Sequence, residues 1–182
     1  MHARPLAAAI TIALLSAAGT LQAAPAGADR LDEAHAAMLR KDYPTAVRLL
    51  EPLAAAGHAI AQTRLGLLYY HGHGVRESDA MALRWFERAA RQGHAEAQFH
   101  LANLHAYGLS EVPAGQDAQR LAAQWYFEAA RQGHAEAQYS LGILFLTGSG
   151  VQPSPEEAHK WIARAGAQGH ADARRWLEQQ GR

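Results

Sequence analysis

Histidine is the residue type in this sequence that most invites a chemical reading, with 11 in 182 residues. Imidazole can ligate metals, move protons and change charge between about pH 5 and 8. Four of the histidines follow a glycine: Gly57-His58, Gly93-His94, Gly133-His134 and Gly169-His170. The glycines are spaced 36, 40 and 36 residues apart. A shared metal site is the first hypothesis, but the spacing argues against it. Residues that recur once per stacked helical unit lie about 8–10 Å apart, whereas one ion needs its ligands at about 2 Å. His71 and His73 are closer, in His-Gly-His-Gly, but they lack a fixed third ligand. His100 and His105 stand five apart, a spacing that does not share one helix face well.

Other chemistries find less support. Glu96 and Glu136 recur at equivalent places, which reads as polar contact between units and not as a carboxylate pair in a cleft. No nucleophile stands beside a base. The glycines end helices and do not open them after a strand, so no phosphate loop is present. Without cysteine, the chain has no disulfide, thiolate nucleophile or cysteine zinc site. Lys plus Arg equals Asp plus Glu at 17 each, which argues against general nucleic-acid binding. These observations point to a non-enzyme without cofactor or metal. Protonation of the 10 histidines outside the leader also makes a pH-sensitive interaction an expectation.

The elements that position these residues form repeats. Gln-Gly-His-Ala-Glu-Ala-Gln stands at Gln92–Gln98 and Gln132–Gln138, with variants at Ala56–Gln62 and Gln168–Arg174. A period in this range marks a repeat architecture. Each unit opens a first helix with Ala-x-Ala-Gln and a leucine followed by a small residue: Leu65-Gly66, Leu101-Ala102 and Leu141-Gly142. The small residue lets a neighbouring helix approach closely. Gly72, Gly108 and Gly148 end these helices, and two units continue as Gly-x-Gly-Val. The second unit instead carries a loop longer by four residues, Gly108–Gly115. A second helix then shows apolar positions at i, i+3, i+4, i+7 and i+8 around Trp85, Trp125 and Trp161. Ser78, Asp117 and Ser154 are its expected N-caps. In this reading each Gly-His glycine takes the left-handed position after a helix, and its histidine interacts with the last carbonyls.

Segmentation follows. Residues 1–23 read as a cleavable signal peptide, with Arg4, an apolar run and small residues before cleavage after Ala23, or alternatively Ala26 or Ala28. The run is short for a membrane span, so no membrane insertion is expected after cleavage. Residues 24–29 read as a linker. Residues 30–58 read as an N-terminal helix pair, with Asp29 capping a helix Leu31–Arg40. Repeats follow at 59–94, 95–134 and 135–170, and a capping helix at 171–182, sealed by Trp176 and Leu177. The protein is expected in the periplasm or outside the cell.

The 36-residue unit with Leu-Gly-x-x-Tyr, Gly-x-Gly-Val, Ala-x-x-Trp-Phe and Ala-Ala-x-x-Gly resembles the Sel1-like repeat, a relative of the tetratricopeptide repeat. The match covers roughly Ala59 to His170, and 30–58 looks like a degenerate first unit. His105 at the tyrosine position, the missing Gly-x-Gly-Val of the second unit and Gly166 depart from the pattern. The resemblance implies an all-α, right-handed superhelical solenoid of antiparallel helix pairs. It also implies a scaffold or adaptor that binds a protein or peptide in a concave groove lined by the first helices. The groove residues it implies are Thr63, Leu67, Tyr70 and His71; Phe99, Asn103 and Tyr107; and Tyr139 and Ile143. An alternative assigns the same aromatics partly to the core between units. A cell-wall or polysaccharide binder and an envelope hydrolase are the rival functions.

Overall fold

The structure, a computed structural model, describes residues 27–110, 112 and 114–181. Among these residues it holds nine helices in sequence: α1 Gly27–Leu39, α2 Tyr43–Ala55, α3 Ala59–His71, α4 Asp79–Arg91, α5 Ala95–Ala106, α6 Ala118–Arg131, α7 Ala135–Thr147, α8 Pro155–Ala167 and α9 Ala171–Gln180. Each helix packs chiefly on its neighbours in sequence, and the pairs stack into an all-α, right-handed solenoid. The expected signal peptide lies outside the described residues. The helix α1 starts earlier than the sequence suggests. It takes in residues 27–29 of the expected linker, and Asp29 sits in the first turn instead of capping it. A carboxylate there suits the positive end of the helix dipole.

Local chemistry sets the helix boundaries. Ser78, Asp117 and Ser154 cap α4, α6 and α8, accepting from the N–H of Met81, of Gln119 and Arg120, and of Glu157. Asp42 does the same for α2 toward Thr45. The end of α4 is a Schellman closure: the N–H of Gly93 donates to Ala90 O and that of His94 to Ala89 O. The bonds recur after α2, α6 and α8. They leave Gly57, Gly93, Gly133 and Gly169 at φ between 86° and 98°. After α1 the same closure is made with Lys41 at φ 59°, the only non-glycine residue at positive φ among the described residues.

The Gly-His histidines follow from this closure, and here the sequence reading is corrected. Their backbone N–H groups bond the carbonyls of the helix that ends, but their side chains do not. Each histidine is the N-cap of the helix that begins, because the residue directly after the Schellman glycine already has the extended φ/ψ an N-cap needs. His134 Nδ1 accepts from Ala137 N at 3.2 Å and His170 Nδ1 from Ala173 N at 3.3 Å.

Two kinds of glycine allow close approach. Within a pair, a Cβ on Gly66 would lie 2.6 Å from Phe86, and one on Gly142 would lie 2.5 Å from Ile162. Between pairs, the second glycine of Gly-x-Gly-Val meets the preceding second helix. A Cβ on Gly74 would fall 2.7 Å from the Tyr43 carbonyl carbon, and one on Gly150 would fall 2.7 Å from Arg120 N. The second unit lacks this glycine. Its longer loop is held by Ser110, whose hydroxyl lies 2.7 Å from Nδ1 of buried His105. That contact accounts for histidine where the other units have Tyr69 and Phe145.

Apolar burial runs along the stack as overlapping clusters. One spans α1 to α3, with Leu50, Leu65 and Leu68. Others center on Phe86 and Leu104 and on Tyr126, Leu141 and Trp161. A last cluster closes the end, where Ile162, Ala165 and Ala173 pack against Trp176 and Leu177. A polar ladder pins the register of the units. Gln62, Gln98 and Gln138 each donate from Nε2 to a carbonyl of the preceding second helix, Ala54, Ala90 and Ala130, at 3.0–3.1 Å. Their Oε1 atoms accept from Gln92, Gln132 and Gln168 at 2.7–2.8 Å. In the last unit Arg174 takes the glutamine's place, donating to Gly166 O.

Candidate functional site

The face formed by α3, α5 and α7 carries the residues expected to bind. Its geometry rests on three of the capping histidines, His94, His134 and His170, which reach back to the preceding unit. His94 Nδ1 lies 3.0 Å from Thr63 Oγ1. His134 stacks on Phe99 with ring centroids 4.7 Å apart and planes at 23°. His170 packs on Tyr139 at 4.4 Å, and its Nε2 lies 3.0 Å from Glu136. A single sequence position, 63, 99 or 139, thus meets the next unit's histidine each time.

Thr63 is therefore corrected as a groove residue. It is 1 % exposed, and its hydroxyl donates to Ala59 O, which leaves it facing the next unit and not solvent. Phe99 and Tyr139 are half-buried, with one flank on a histidine. Leu67 and Tyr70 are half-buried against the Phe86 cluster, and Ile143 against the cluster of Ile162, Ala165 and Ala173. Asn103 is half-buried as well, and its Oδ1 accepts from the Tyr126 hydroxyl. Tyr70 and Asn103 meet across a cavity of about 30 Å³ shared with Phe86, His100 and Leu104. His71 and Tyr107 remain open to solvent; Tyr107, the C-cap of α5, is 70 % exposed. Ile60 and Leu146 on the same helices are 43 % and 38 % exposed. Tyr139 also lines a depression of about 280 Å³ with Asp172, Arg175, Trp176 and Gln179. Sequence reasoning assigned α9 only to capping and missed this contribution; the aromatic Trp176 on a first-type helix was the available signal.

Four of the other histidines, His71, His73, His100 and His159, neighbour aromatic rings. His73 stacks on Tyr43 at 4.3 Å and stands 5.4 Å from His71. Among the described residues no group of three or more His, Cys, Asp or Glu is arranged to hold a metal ion. His100 lies flat on Phe86 at 5.1 Å, and burial lowers its pKa from 6.5 to about 4. Glu96 opposes that shift, and His134, His71 and His94 add to it. Burial also lowers His134 against the pull of Glu96 and Glu136, and lowers His105.

A depressed folded-state pKa means that the unfolded chain binds the proton better. Stability is therefore complete above about pH 6.5 and is lost as the pH falls toward 4. For His100 the loss between pH 6.5 and 5 is about 2 kcal/mol. The urea midpoint should fall accordingly, and His100→Phe should flatten most of the fall. An equally steep pH dependence in that variant would assign the effect elsewhere.

The geometry defines a class, a solenoid of stacked helix pairs whose units are joined by Schellman glycines and whose first helices present a continuous face. The chain belongs to the Sel1 repeat family, whose model matches residues 35–58, 59–94, 95–134 and 135–170. The first match shows that the degenerate N-terminal pair is a fourth unit of the same kind. The crystal structure of a Sel1 repeat protein from Oxalobacter formigenes is similar at 32% identity and a TM-score of 0.72, over 80% of this chain and 56% of that one. Also similar is c5321, a protective antigen present in uropathogenic Escherichia coli strains and displaying an SLR fold. It shares 27% identity at a TM-score of 0.73, over 81% of this chain and 32% of that one. The chain thus spans about half of the first protein and a third of the second. No curated protein matches it. The Sel1 repeat fold is in general a protein–protein interaction scaffold and is typically non-catalytic.

Proposed function

We propose that this protein is a non-catalytic adaptor of the bacterial cell envelope, periplasmic or secreted, that binds a protein or peptide along its first-helix face. The observation that carries the reading is the row of half-exposed Tyr70, Phe99 and Tyr139 beside open Tyr107, Ile60 and Leu146. Histidine stacking and the glutamine ladder hold this row rigid, which lowers the entropy lost on binding. Aromatic side chains on such a surface are common binding anchors. The signal-like segment 1–23 and the bacterial sources of the similar structures support the location.

The test is photo-crosslinking in cells from position 107, combined with fractionation of the full chain. Tyr107→Ala should weaken binding of the captured partner about tenfold or more with an unchanged melting temperature. Phe99→Ala should lower the melting temperature, because it leaves His134 without its stacking partner. Unaltered binding by the Tyr107 variant, or a purely cytoplasmic chain, would refute the proposal. A polysaccharide is the second reading, favoured by Tyr139 and Trp176 lining one depression with Asp172, Arg175 and Gln179. A glycan pull-down that fails with Trp176→Ala would select it.

A further inference from the structure

The second helices repeat a device that the middle unit breaks. In α4 the Arg88 guanidinium lies over the Trp85 ring, with Cζ 4.8 Å from the ring centroid. In α8 Arg164 lies over Trp161 in the same way, at 4.5 Å. Both arginines stand three residues after their tryptophan, one helical turn on, where a side chain folds back over its neighbour. In α6 the same offset from Trp125 brings Glu128. Among the described residues no guanidinium or ammonium covers Trp125.

The surroundings change in the same unit. Positions lined by Met81, Arg84 and Glu87 in α4, and by Glu157, Lys160 and Ala163 in α8, become Leu121, Gln124 and Phe127 in α6. In α8 Lys160 at these positions makes exposed ion pairs with Glu156 and Glu157, both at 2.9 Å. In α6 they wall an open hollow of about 440 Å³ together with half-buried Trp125 and exposed Glu128. Phe127 is 40 % exposed at its rim. The hollow continues past Leu121 and Gln124 into a second, of about 370 Å³, that reaches Asp117, Arg120 and the long loop at Gly115. Among the described residues the Glu128 carboxylate has one ion-pair partner, Arg131, at 3.6 Å and exposed. The Arg131 guanidinium leans over Phe127 at 5.7 Å, not over Trp125.

We propose that this hollow binds an arginine side chain of a partner polypeptide, which supplies to Trp125 the guanidinium that Arg88 and Arg164 supply to Trp85 and Trp161 within the chain. The charge is complementary: Glu128 stands where the other units place a cation, so a carboxylate is already aligned for an incoming one. A guanidinium can stack flat on the indole and hydrogen-bond a carboxylate at its edge. Its aliphatic stem matches the apolar wall of Leu121 and Phe127. Lysine would satisfy the charge but not the stacking. The site lies on the second helices and is independent of the first-helix face.

The probe is acetyl-Gly-Arg-Gly-amide, titrated into the full chain with 15N-labelled tryptophan and followed by the indole N–H resonances. The Trp125 indole should shift saturably at millimolar peptide, while those of Trp85 and Trp161, already covered, should not. The citrulline peptide, neutral but of the same shape, should bind about tenfold more weakly. Glu128→Arg rebuilds the arrangement of the other units on an exposed position, so the fold is retained. It should cover Trp125 and abolish the shift, and Glu128→Gln should weaken it. Tyr107→Ala should leave it unchanged, which separates this site from the proposed partner-binding face. Equal binding of the citrulline peptide, an undiminished response in Glu128→Arg, or no saturable shift at Trp125 would overturn the proposal.

Discussion

Replacing Gly150 by alanine lowers the stability of the solenoid by about 3 kcal/mol. Two costs combine. Gly150 has φ 71°, a left-handed conformation that costs an L-residue about 1 kcal/mol or more. The added Cβ also strikes the backbone of Gln119 and Arg120 at the start of α6, in the preceding pair. That backbone has little room to retreat. Asp117 caps it through Gln119 N at 2.8 Å and Arg120 N at 3.4 Å, and the Gln119 side chain is tied to Ala106 O at 3.0 Å. The overlap must therefore open the joint between units, an overpacking cost of about 1–3 kcal/mol. Gly133→Ala is the control. Gly133 has φ 90° but nothing within 4 Å of its Cβ position, so only the conformational cost applies. Urea denaturation of the two variants separates the terms. Equal losses would show that close approach at Gly150 contributes nothing.

A second large effect is expected at Gln98. Changing it to glutamate should cost about 4 kcal/mol at pH 8. Gln98 is 4 % exposed, and its amide nitrogen donates to Ala90 O at 3.1 Å while its oxygen accepts from Gln132 at 2.7 Å. A carboxylate keeps the second bond. It turns the first into two acceptors facing each other, with a charge that neither bonded partner neutralises. The ladder has one such rung per unit, so the damage falls on a single interface. In a stack held by nearest-neighbour contacts, that interface becomes the weak joint, and unfolding should broaden or split. Acidification protonates the new carboxyl and restores a donor, so the variant should recover relative to the parent between pH 8 and 5. Gln98→Met, which removes both bonds without adding charge, should cost only about 2 kcal/mol with no such recovery. A pH-independent loss in Gln98→Glu would mean that the carboxylate finds water and that the rung is not sealed.

Much of the fold is written locally. The apolar period, the glycine stops and the Ser or Asp caps are properties of short stretches, and Ser78, Asp117 and Ser154 cap as their positions suggest. The small residues of Leu65-Gly66 and Leu141-Gly142 do admit Phe86 and Ile162. The candidate face was legible only as a stripe. Thr63, Phe99 and Tyr139 share one helical position, yet Thr63 is buried and the others are half-open, because the first unit uses a hydroxyl where its successors use a ring. Periodicity along a helix cannot show how far the next helix overlaps that stripe.

The Gly-His pairs make the same division. From the sequence alone follow the repeat, the helix-pair solenoid and the reading of each glycine as a stop, because these depend on φ/ψ preferences and spacings of a few residues. The histidine's side was decided only in three dimensions. It closes one helix through its backbone, caps the next, and reaches back to the unit before. That last contact joins residues 31 to 35 positions apart. The rungs of Gln62, Gln98 and Gln138, and the uncovered Trp125 between two covered tryptophans, belong to the same level. They depend on the rise and rotation from one unit to the next, which is set by packing between helices and not by the preferences of any one of them.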